Sequence, residues 1–201
     1  MHVLTVLDHP DPGSLSHAVA ARFNAGAEAA GHTTELADLR AEDFDPRWSM
    51  SDLAQFNDQP MPKDVLREQA RFERCDAVCI VFPLFWWGMP ATLKGWIDRV
   101  FSWGWAYDQT GDPDPYKSPL RPRSCLMLIP TGTAPDRMQH YGYDNAGELI
   151  WQTGTMGYMG MTRREVVWLN GSMGSEDRRK GLLDRAESAG RTIEPPQEQP
   201  V

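Results

Sequence analysis

Short hydrophobic runs alternate with segments of helical periodicity along most of the chain. Apolar and β-branched runs bounded by turn residues predict five strands, at residues 3–7, 33–39, 77–82, 124–130 and 164–169. Helices are predicted where apolar side chains recur three and four positions apart, at residues 14–30, 63–74, 90–101, 145–159 and 176–190. Because strands alternate with helices, the pattern predicts an α/β fold with a doubly wound parallel sheet.

Two polar stretches and the last residues fall outside this alternation. Residues 41–62 are interrupted by prolines, and residues 104–122 form an excursion rich in Gly, Pro and Asp. The last residues are rich in Pro, Glu and Gln, a composition that favours disorder. We therefore expect one domain over residues 1–191, with the excursion at 104–122, followed by a disordered tail at 192–201.

Composition narrows the classes of protein. The formal net charge is −8 over 201 residues, which disfavours nucleic acid and anionic membrane surfaces as partners because both require a basic face. Three cysteines without the spacing of a metal site suggest a reducing cytoplasm and no structural metal. No apolar stretch approaches the length of a membrane span. We therefore expect a cytoplasmic protein that binds no metal and does not insert into a membrane.

In sheets of this kind, ligands bind at the carboxyl ends of the strands, and that rule selects three loops. The first runs from His9 to Ser16 and leads into a helix. The free N–H groups of a helix start suit a phosphate, Gly13 permits close approach, and the hydroxyls of Ser14 and Ser16 add donors. The loop matches neither the Rossmann glycine pattern nor the P-loop. An ordinary capped helix start explains the same residues.

The second loop follows the third predicted strand and is unusually rich in aromatic residues. Five of the eight tryptophans lie between positions 86 and 105. Pro83 and Leu84 precede three consecutive aromatic residues, Phe85, Trp86 and Trp87. Aromatic side chains exposed in a loop are costly, so these residues either form the wall of a site for a planar ring or pack into the core.

The third loop, at residues 130–143, begins with small residues whose backbone polar groups can bond the edge of a ring. These residues are Pro130, Thr131, Gly132 and Thr133. Further along, three side chains can donate protons: His140, Tyr141 and Tyr143. Each of the three is also explained as an ordinary surface residue. Taken together, a phosphate-suited helix start, an aromatic wall and a polar backbone edge describe a site for a flavin nucleotide.

Three motifs resemble those of the NAD(P)H:quinone oxidoreductase family, the DT-diaphorase-like flavoproteins of flavodoxin-like fold, and are most similar to its bacterial branch. The strongest is the stretch 82–101 together with Ala106 and Tyr107. The others are the loop 9–18 and the Thr-Gly-Thr turn at 131–133. The resemblance extends over nearly the whole chain. It implies a five-stranded sheet in the order 2-1-3-4-5 with helices on both faces.

The resemblance also implies an activity. The protein would pass two electrons as hydride from NAD(P)H through bound flavin to a quinone or similar aromatic acceptor, in a ping-pong cycle. It would form a homodimer with the active site at the interface, and the excursion at 104–122 would cover the flavin of the neighbouring subunit. Gln69 would lie near an adenine, which favours FAD, with FMN as the second choice.

The implied flavin contacts fall in the three loops. They are His9, Ser14, Leu15, Ser16, Ala18, Pro83, Leu84, Phe85, Trp86, Trp87, Pro130, Thr131, Gly132 and Thr133. One position departs from the family pattern, because Met138 stands where the family often carries a tyrosine. Proton transfer would therefore depend on His140, Tyr141 or Tyr143.

Three other functions stay open at this point. The protein could be a flavin-containing regulatory subunit of a partner such as a transporter, or a tailoring reductase in a biosynthetic pathway. A one-electron flavodoxin carrier fits the acidic charge, but the first loop lacks the Thr-rich phosphate pattern typical of such carriers.

Overall fold

A computed structural model of the chain describes residues 1–57, 59–107 and 118–197. It contains a five-stranded parallel sheet in the order β2-β1-β3-β4-β5, which confirms the predicted fold class. The strands are β1 (His2–Leu7), β2 (Thr33–Asp38), β3 (Ala77–Val81), β4 (Arg123–Thr131) and β5 (Met161–Asn170). Every residue of β3 and β4 is buried, as expected for central strands that helices cover on both faces.

Helices α1 (Leu15–Ala29) and α7 (Glu176–Arg191) pack against each other on one face of the sheet. The two backbones approach so closely that a Cβ built on Gly26 would lie 2.1 Å from the carbonyl oxygen of Glu187. Helices α2 (Lys63–Arg74) and α3 (Ala91–Val100) contribute Phe72 and Trp96 to the core of the other face. None of the helices in the described ranges is both long and apolar enough to cross a membrane.

The region after β4 is more helical than its sequence predicts. Instead of a loop up to residue 143, it forms α4 (Pro135–Tyr141), and Gly142 ends this helix with a φ of +71°. The helix predicted from residue 145 begins earlier, as α5 (Tyr143–Gly147), and becomes π-helical over Glu148–Thr155 before α6 (Met156–Tyr158). A pattern search at 3.6 residues per turn cannot detect a π-helix, which has a wider repeat.

Two further segments differ from the predictions. The proline-rich stretch 41–62 contains a 3₁₀ helix at Met50–Phe56. Within the expected disordered tail, the backbone oxygen of Glu194 accepts a hydrogen bond from Ser124 Oγ at 2.7 Å, and that of Pro195 accepts one from Arg163 Nε at 3.1 Å. These residues therefore lie against β4 and β5. Residues 108–117 of the predicted excursion and 198–201 of the tail lie outside the described residues.

Candidate active site

The three loops selected from the sequence meet at one edge of the sheet, because β1, β3 and β4 are neighbours. The N–H of Asp8 donates to the oxygen of Val81 at 3.2 Å, which joins the first loop to the second. The N–H of Leu84 donates to the oxygen of Pro130 at 3.1 Å, which joins the second to the third. The predicted site therefore forms a continuous surface along the carboxyl ends of three strands.

The first loop is folded by local hydrogen bonds. Asp11 Oδ1 accepts from the N–H of Gly13 at 2.8 Å, and His9 Nδ1 accepts from the N–H of Asp11 at 3.1 Å. The N–H groups of Leu15 and Ser16 lie in the first turn of α1, where geometry leaves them without an intrahelical acceptor. These two groups, at the positive end of α1, are the natural donors to a phosphate.

Ser14 and His17 are engaged within the chain. Ser14 caps α1, because its Oγ accepts from the N–H of His17 at 3.3 Å and bonds His17 Nδ1 at 2.9 Å. The other ring nitrogen of His17 bonds Asp38 Oδ2 at 2.9 Å. The predicted ligand contact at Ser14 is therefore first of all a helix cap, which fixes the start of α1.

Residues 85–88, here called the aromatic turn, form a two-residue hairpin. The N–H of Phe85 donates to the oxygen of Gly88 at 3.1 Å, and the N–H of Gly88 donates back to Phe85 at 2.9 Å. Trp86 and Trp87, at the centre of the turn, have φ values of +49° and +62°. A type I′ turn of this kind is normally built from Asn-Gly, so two tryptophans here are strained. Strain of this type is concentrated at functional sites.

The predicted proton donors differ in their relation to the aromatic turn. The ring of Tyr143 stacks on that of Trp87, with centroids 3.7 Å apart and an interplanar angle of 26°. Tyr141 and His140 are both exposed. The ring of His140 makes edge contact with that of Tyr141, which in turn lies tilted beside the ring of Tyr143. Met138 is only 2% exposed and packs inward. Of the three candidates, Tyr143 alone makes ring contact with the aromatic turn in the described part of the chain.

A cavity of about 680 Å³ opens beside the Trp87–Tyr143 stack. Its walls are mainly aromatic and apolar, and its lining includes Leu84, Trp87, Tyr107, Tyr143, Trp151 and Tyr158. Burial, with a smaller contribution from Tyr158, raises the pKa of Tyr107, so this phenol stays protonated at neutral pH. The volume and lining are typical of a site for a planar organic ligand.

The third loop is held by the end of β5, a support that the sequence did not reveal. The oxygen of Thr131 accepts from the N–H groups of Gly171 and Ser172 at 2.7 and 3.0 Å. Asn170 Nδ2 donates to the oxygen of Thr133 at 3.2 Å. Between these anchors Gly132 is exposed, and the N–H of Thr133 donates within the loop to Thr131 Oγ1 at 3.2 Å.

The first loop borders a second groove, of about 890 Å³, which we call the α1–α7 groove. The start of α1 lines one side, and the start of α7 lines the other with Glu176, Asp177, Arg179, Lys180 and Leu183. Two cations and two carboxylates thus lie opposite the phosphate-suited helix start, and Arg179 also donates to the oxygen of Gly174 at 3.3 Å. Sequence reasoning missed them, because charged residues in the first turns of an amphipathic helix look like an ordinary solvent face.

The side chain of Gln69 is engaged inside the chain, away from the three loops. Its side chain is only 5% exposed, and its Nε2 donates to the oxygen of Val100 at 2.9 Å and to Ser102 Oγ at 3.0 Å. Both amide hydrogens are therefore used inside the chain, where they fix the end of α3. The interpretation of Gln69 as an adenine contact has no support in this geometry.

Comparison with known proteins agrees with the fold. Residues 1–192 match the family model Flavodoxin_2, described as a flavodoxin-like fold, and the chain belongs to this family. The NAD(P)H:quinone oxidoreductase from Methanothermobacter marburgensis superposes with a TM-score of 0.84 at 30% identity, covering 96% of this chain and 99% of that one. This relationship confirms membership of the quinone oxidoreductase group, whereas the bacterial branch stays a prediction.

Two more distant proteins extend the comparison. The guinea pig (Cavia porcellus) NAD(P)H dehydrogenase [quinone] 1 is 27% identical over 177 residues, which cover 78% of this chain but only 64% of that protein. An FMN-dependent NADH-azoreductase from Bacillus anthracis, determined in complex with FMN, has a TM-score of 0.69 at 16% identity and covers 94% of this chain and 98% of that one. At that identity it supports the fold alone.

Proposed function

We propose that this protein is a flavin-dependent NAD(P)H oxidoreductase that reduces a quinone or a similar aromatic acceptor. The observation that carries the proposal is the aromatic turn, which holds Trp86 and Trp87 in a strained conformation shortly after Leu84, whose N–H bonds the oxygen of Pro130 in β4. A planar ring that stacks on the aromatic turn and bonds the neighbouring end of β4 would explain both the strain of the turn and its position. Family membership supports the same reading.

The residues present fit a flavin nucleotide. The N–H groups of Leu15 and Ser16, with Arg179 and Lys180 across the α1–α7 groove, would hold its phosphate groups. Residues 83–87 would support the ring, and the backbone at 130–133 would bond its polar edge. His9 and Ala18 complete the set of proposed contacts.

A bound flavin would supply hydride chemistry, accepting two electrons from NAD(P)H and delivering two to the acceptor. Because NAD(P)H and the acceptor would use the same site in turn, the kinetics would be ping-pong. The protein holds the reacting groups in place and excludes water. The cavity beside the Trp87–Tyr143 stack would receive the acceptor between apolar walls. Tyr143 borders this cavity and contacts Trp87, so we assign its hydroxyl, rather than the hydroxyl of the exposed Tyr141 or the imidazole of the exposed His140, to proton donation.

We favour FAD over FMN, on an observation other than Gln69. The α1–α7 groove continues from the phosphate-suited loop past Arg179 to Leu183, which leaves room for an adenosine beyond the phosphates. Cofactor extraction followed by chromatography against FAD and FMN standards decides the point. FMN as the sole bound flavin would contradict this choice and leave the oxidoreductase proposal intact.

We also propose a homodimer in a reducing cytoplasm. Trp86, Leu149 and Ile150 are exposed apolar residues, with Trp86 being 99% exposed, and Ile150 lines the cavity. Such a surface gains stability when a second copy covers it. The cysteines of the chain are buried and unpaired, which suits a reducing compartment. Light scattering of the flavin-loaded protein tests the dimer, and a monomer at micromolar concentration would contradict it.

The decisive variant for the oxidoreductase proposal is Trp87→Ala, with Trp48→Ala as its matched control. The two tryptophans are similarly exposed, at 45% and 46%, but only Trp87 contacts Tyr143 and the cavity. We expect Trp87→Ala to lower kcat/KM for menadione reduction by NAD(P)H at least about tenfold, since misplacing a ring costs orientation. Trp48→Ala should stay within about twofold of the wild type. No turnover above free flavin with quinones or nitroaromatics would reject the proposal.

A further inference from the structure

Asp8 is a buried charged residue that the proposed chemistry does not use. It directly follows β1 and is fully buried, yet its two carboxylate oxygens bond two separate parts of the chain. Oδ1 accepts from Arg40 Nε at 2.9 Å, and Oδ2 accepts from the N–H of Leu93 at 2.8 Å. A buried carboxylate is stable only when such partners satisfy it, so its position is tightly specified.

The bond to Leu93 replaces a missing helix cap. Helix α3 begins after Pro90, which makes no side-chain capping bond, so the first N–H groups of the helix need an acceptor from elsewhere. Asp8 supplies that acceptor from 85 positions earlier in the chain, and its negative charge favours the positive end of α3. The aromatic turn lies immediately before this helix start.

The bond between Asp8 and Arg40 connects Asp8 to the first loop. Arg40, which binds Asp8, also donates its backbone N–H to Asp38 Oδ1 at 3.1 Å. Asp38 Oδ2 bonds His17, and His17 bonds the cap residue Ser14. A continuous polar chain therefore runs from the start of α1 to the start of α3, through Asp38 at the end of β2 and Asp8 directly after β1. We call it the Asp8 network.

We infer that Asp8 is a positioning residue that sets the distance between the phosphate-suited loop and the aromatic turn. A flavin would have to bind both regions at once, so a shift in their spacing lowers its affinity even when each loop is intact. The inference rests on the proposed flavin site. The coupling between the two loops, however, is a property of the protein alone and is measurable without cofactor.

The experiment compares Asp8→Asn with Asp52→Asn. Asp52 is also fully buried and binds Arg99 Nε at 2.8 Å, but it holds the 3₁₀ helix to the last turn of α3, the opposite end of the same helix. In Asp8→Asn an NH₂ group replaces one carboxylate oxygen. Its hydrogens then face another donor, which is either the N–H of Leu93 or Arg40 Nε. Both variants lose a bond to a buried carboxylate, so their losses of stability should be comparable.

Two measurements separate a positioning role from a structural one. Amide hydrogen exchange on the flavin-free protein should accelerate about tenfold in both residues 9–17 and residues 84–95 in Asp8→Asn, the size expected for a lost charged hydrogen bond. Asp52→Asn should stay within about twofold in these segments. The dissociation constant for added FAD or FMN should rise about tenfold in Asp8→Asn alone.

Each result has a distinct meaning. Acceleration of only one segment, or equal effects in the two variants, would overturn the positioning role. The positioning role would also be overturned if Asp8→Asn matched the wild type in both flavin affinity and visible circular dichroism. If the wild type binds no flavin, the proposed function fails, and the exchange data still decide whether Asp8 couples the two loops.

Discussion

The first loop and the aromatic turn lie side by side at the sheet edge but are stabilised in opposite ways. The first loop satisfies its polar groups within a few residues, through Asp11 and the Ser14 cap. The aromatic turn has two residues in the left-handed region and exposes Trp86 almost completely. Its conformation depends on distant support from β4 and from Tyr143. A site can thus combine an anion loop whose hydrogen bonds are mainly local with a strained ring support that distant segments maintain.

The largest expected effect concerns the hydroxyl of Tyr143, the residue whose ring supports the aromatic turn. Tyr143→Phe keeps the stack on Trp87 and removes only the hydroxyl. If that hydroxyl donates a proton, kcat for quinone reduction falls by about 10²-fold, a typical contribution of a general acid. Flavin affinity should not change, because the ring remains in place. Stopped-flow kinetics with menadione measure kcat, and fluorescence titration measures the flavin affinity. A variant with wild-type kcat would remove Tyr143 from proton transfer.

A smaller effect is expected in the first loop, because its support is local. Ser14→Ala removes the cap of α1 and should lower the free energy of unfolding by about 1 kcal/mol. Urea denaturation monitored by circular dichroism measures this loss. Flavin affinity should fall only severalfold, since the backbone N–H donors remain. A loss of binding beyond 100-fold would mean that the Ser14 hydroxyl itself contacts the ligand.

The smallest effect should be a gain in stability. Trp86→Asn replaces a nearly fully exposed side chain, so little packing is lost, and asparagine tolerates the left-handed conformation. We expect the free energy of unfolding to rise by about 0.5–1 kcal/mol, part of the cost of that conformation. Turnover should fall at the same time, because the ring support is removed. A variant that is no more stable than the wild type would show that the turn is unstrained.

The same contrast explains how much the sequence could predict. Local patterns were sufficient for the five strands and for the helix start at Ser14, whereas the strand order was implied by the resemblance. The aromatic cluster was recognised, but not the left-handed turn, because no local rule places tryptophan there. The support of Thr131 by Gly171 and Ser172, and the cations of α7, depend on contacts between distant segments.

Gln69 illustrates the limit of resemblance. The resemblance implies an adenine contact at Gln69, whereas its amide in this structure bonds Val100 and Ser102. Asp8 is the reverse case, since nothing in the sequence marked it, and the structure places it between the two loops. A side chain that acts across 85 positions cannot be recognised from neighbours in the sequence.

The central claim is that the three loops hold a flavin that NAD(P)H reduces and a quinone reoxidises. Anaerobic titration of the flavin-loaded protein with NADPH or NADH, followed through the visible absorbance of the oxidised flavin, tests it most directly. We predict loss of the absorbance with one equivalent of the reduced nucleotide per flavin and full recovery on addition of menadione. A protein that takes up no flavin, or whose bound flavin does not respond to either nucleotide, would contradict the account.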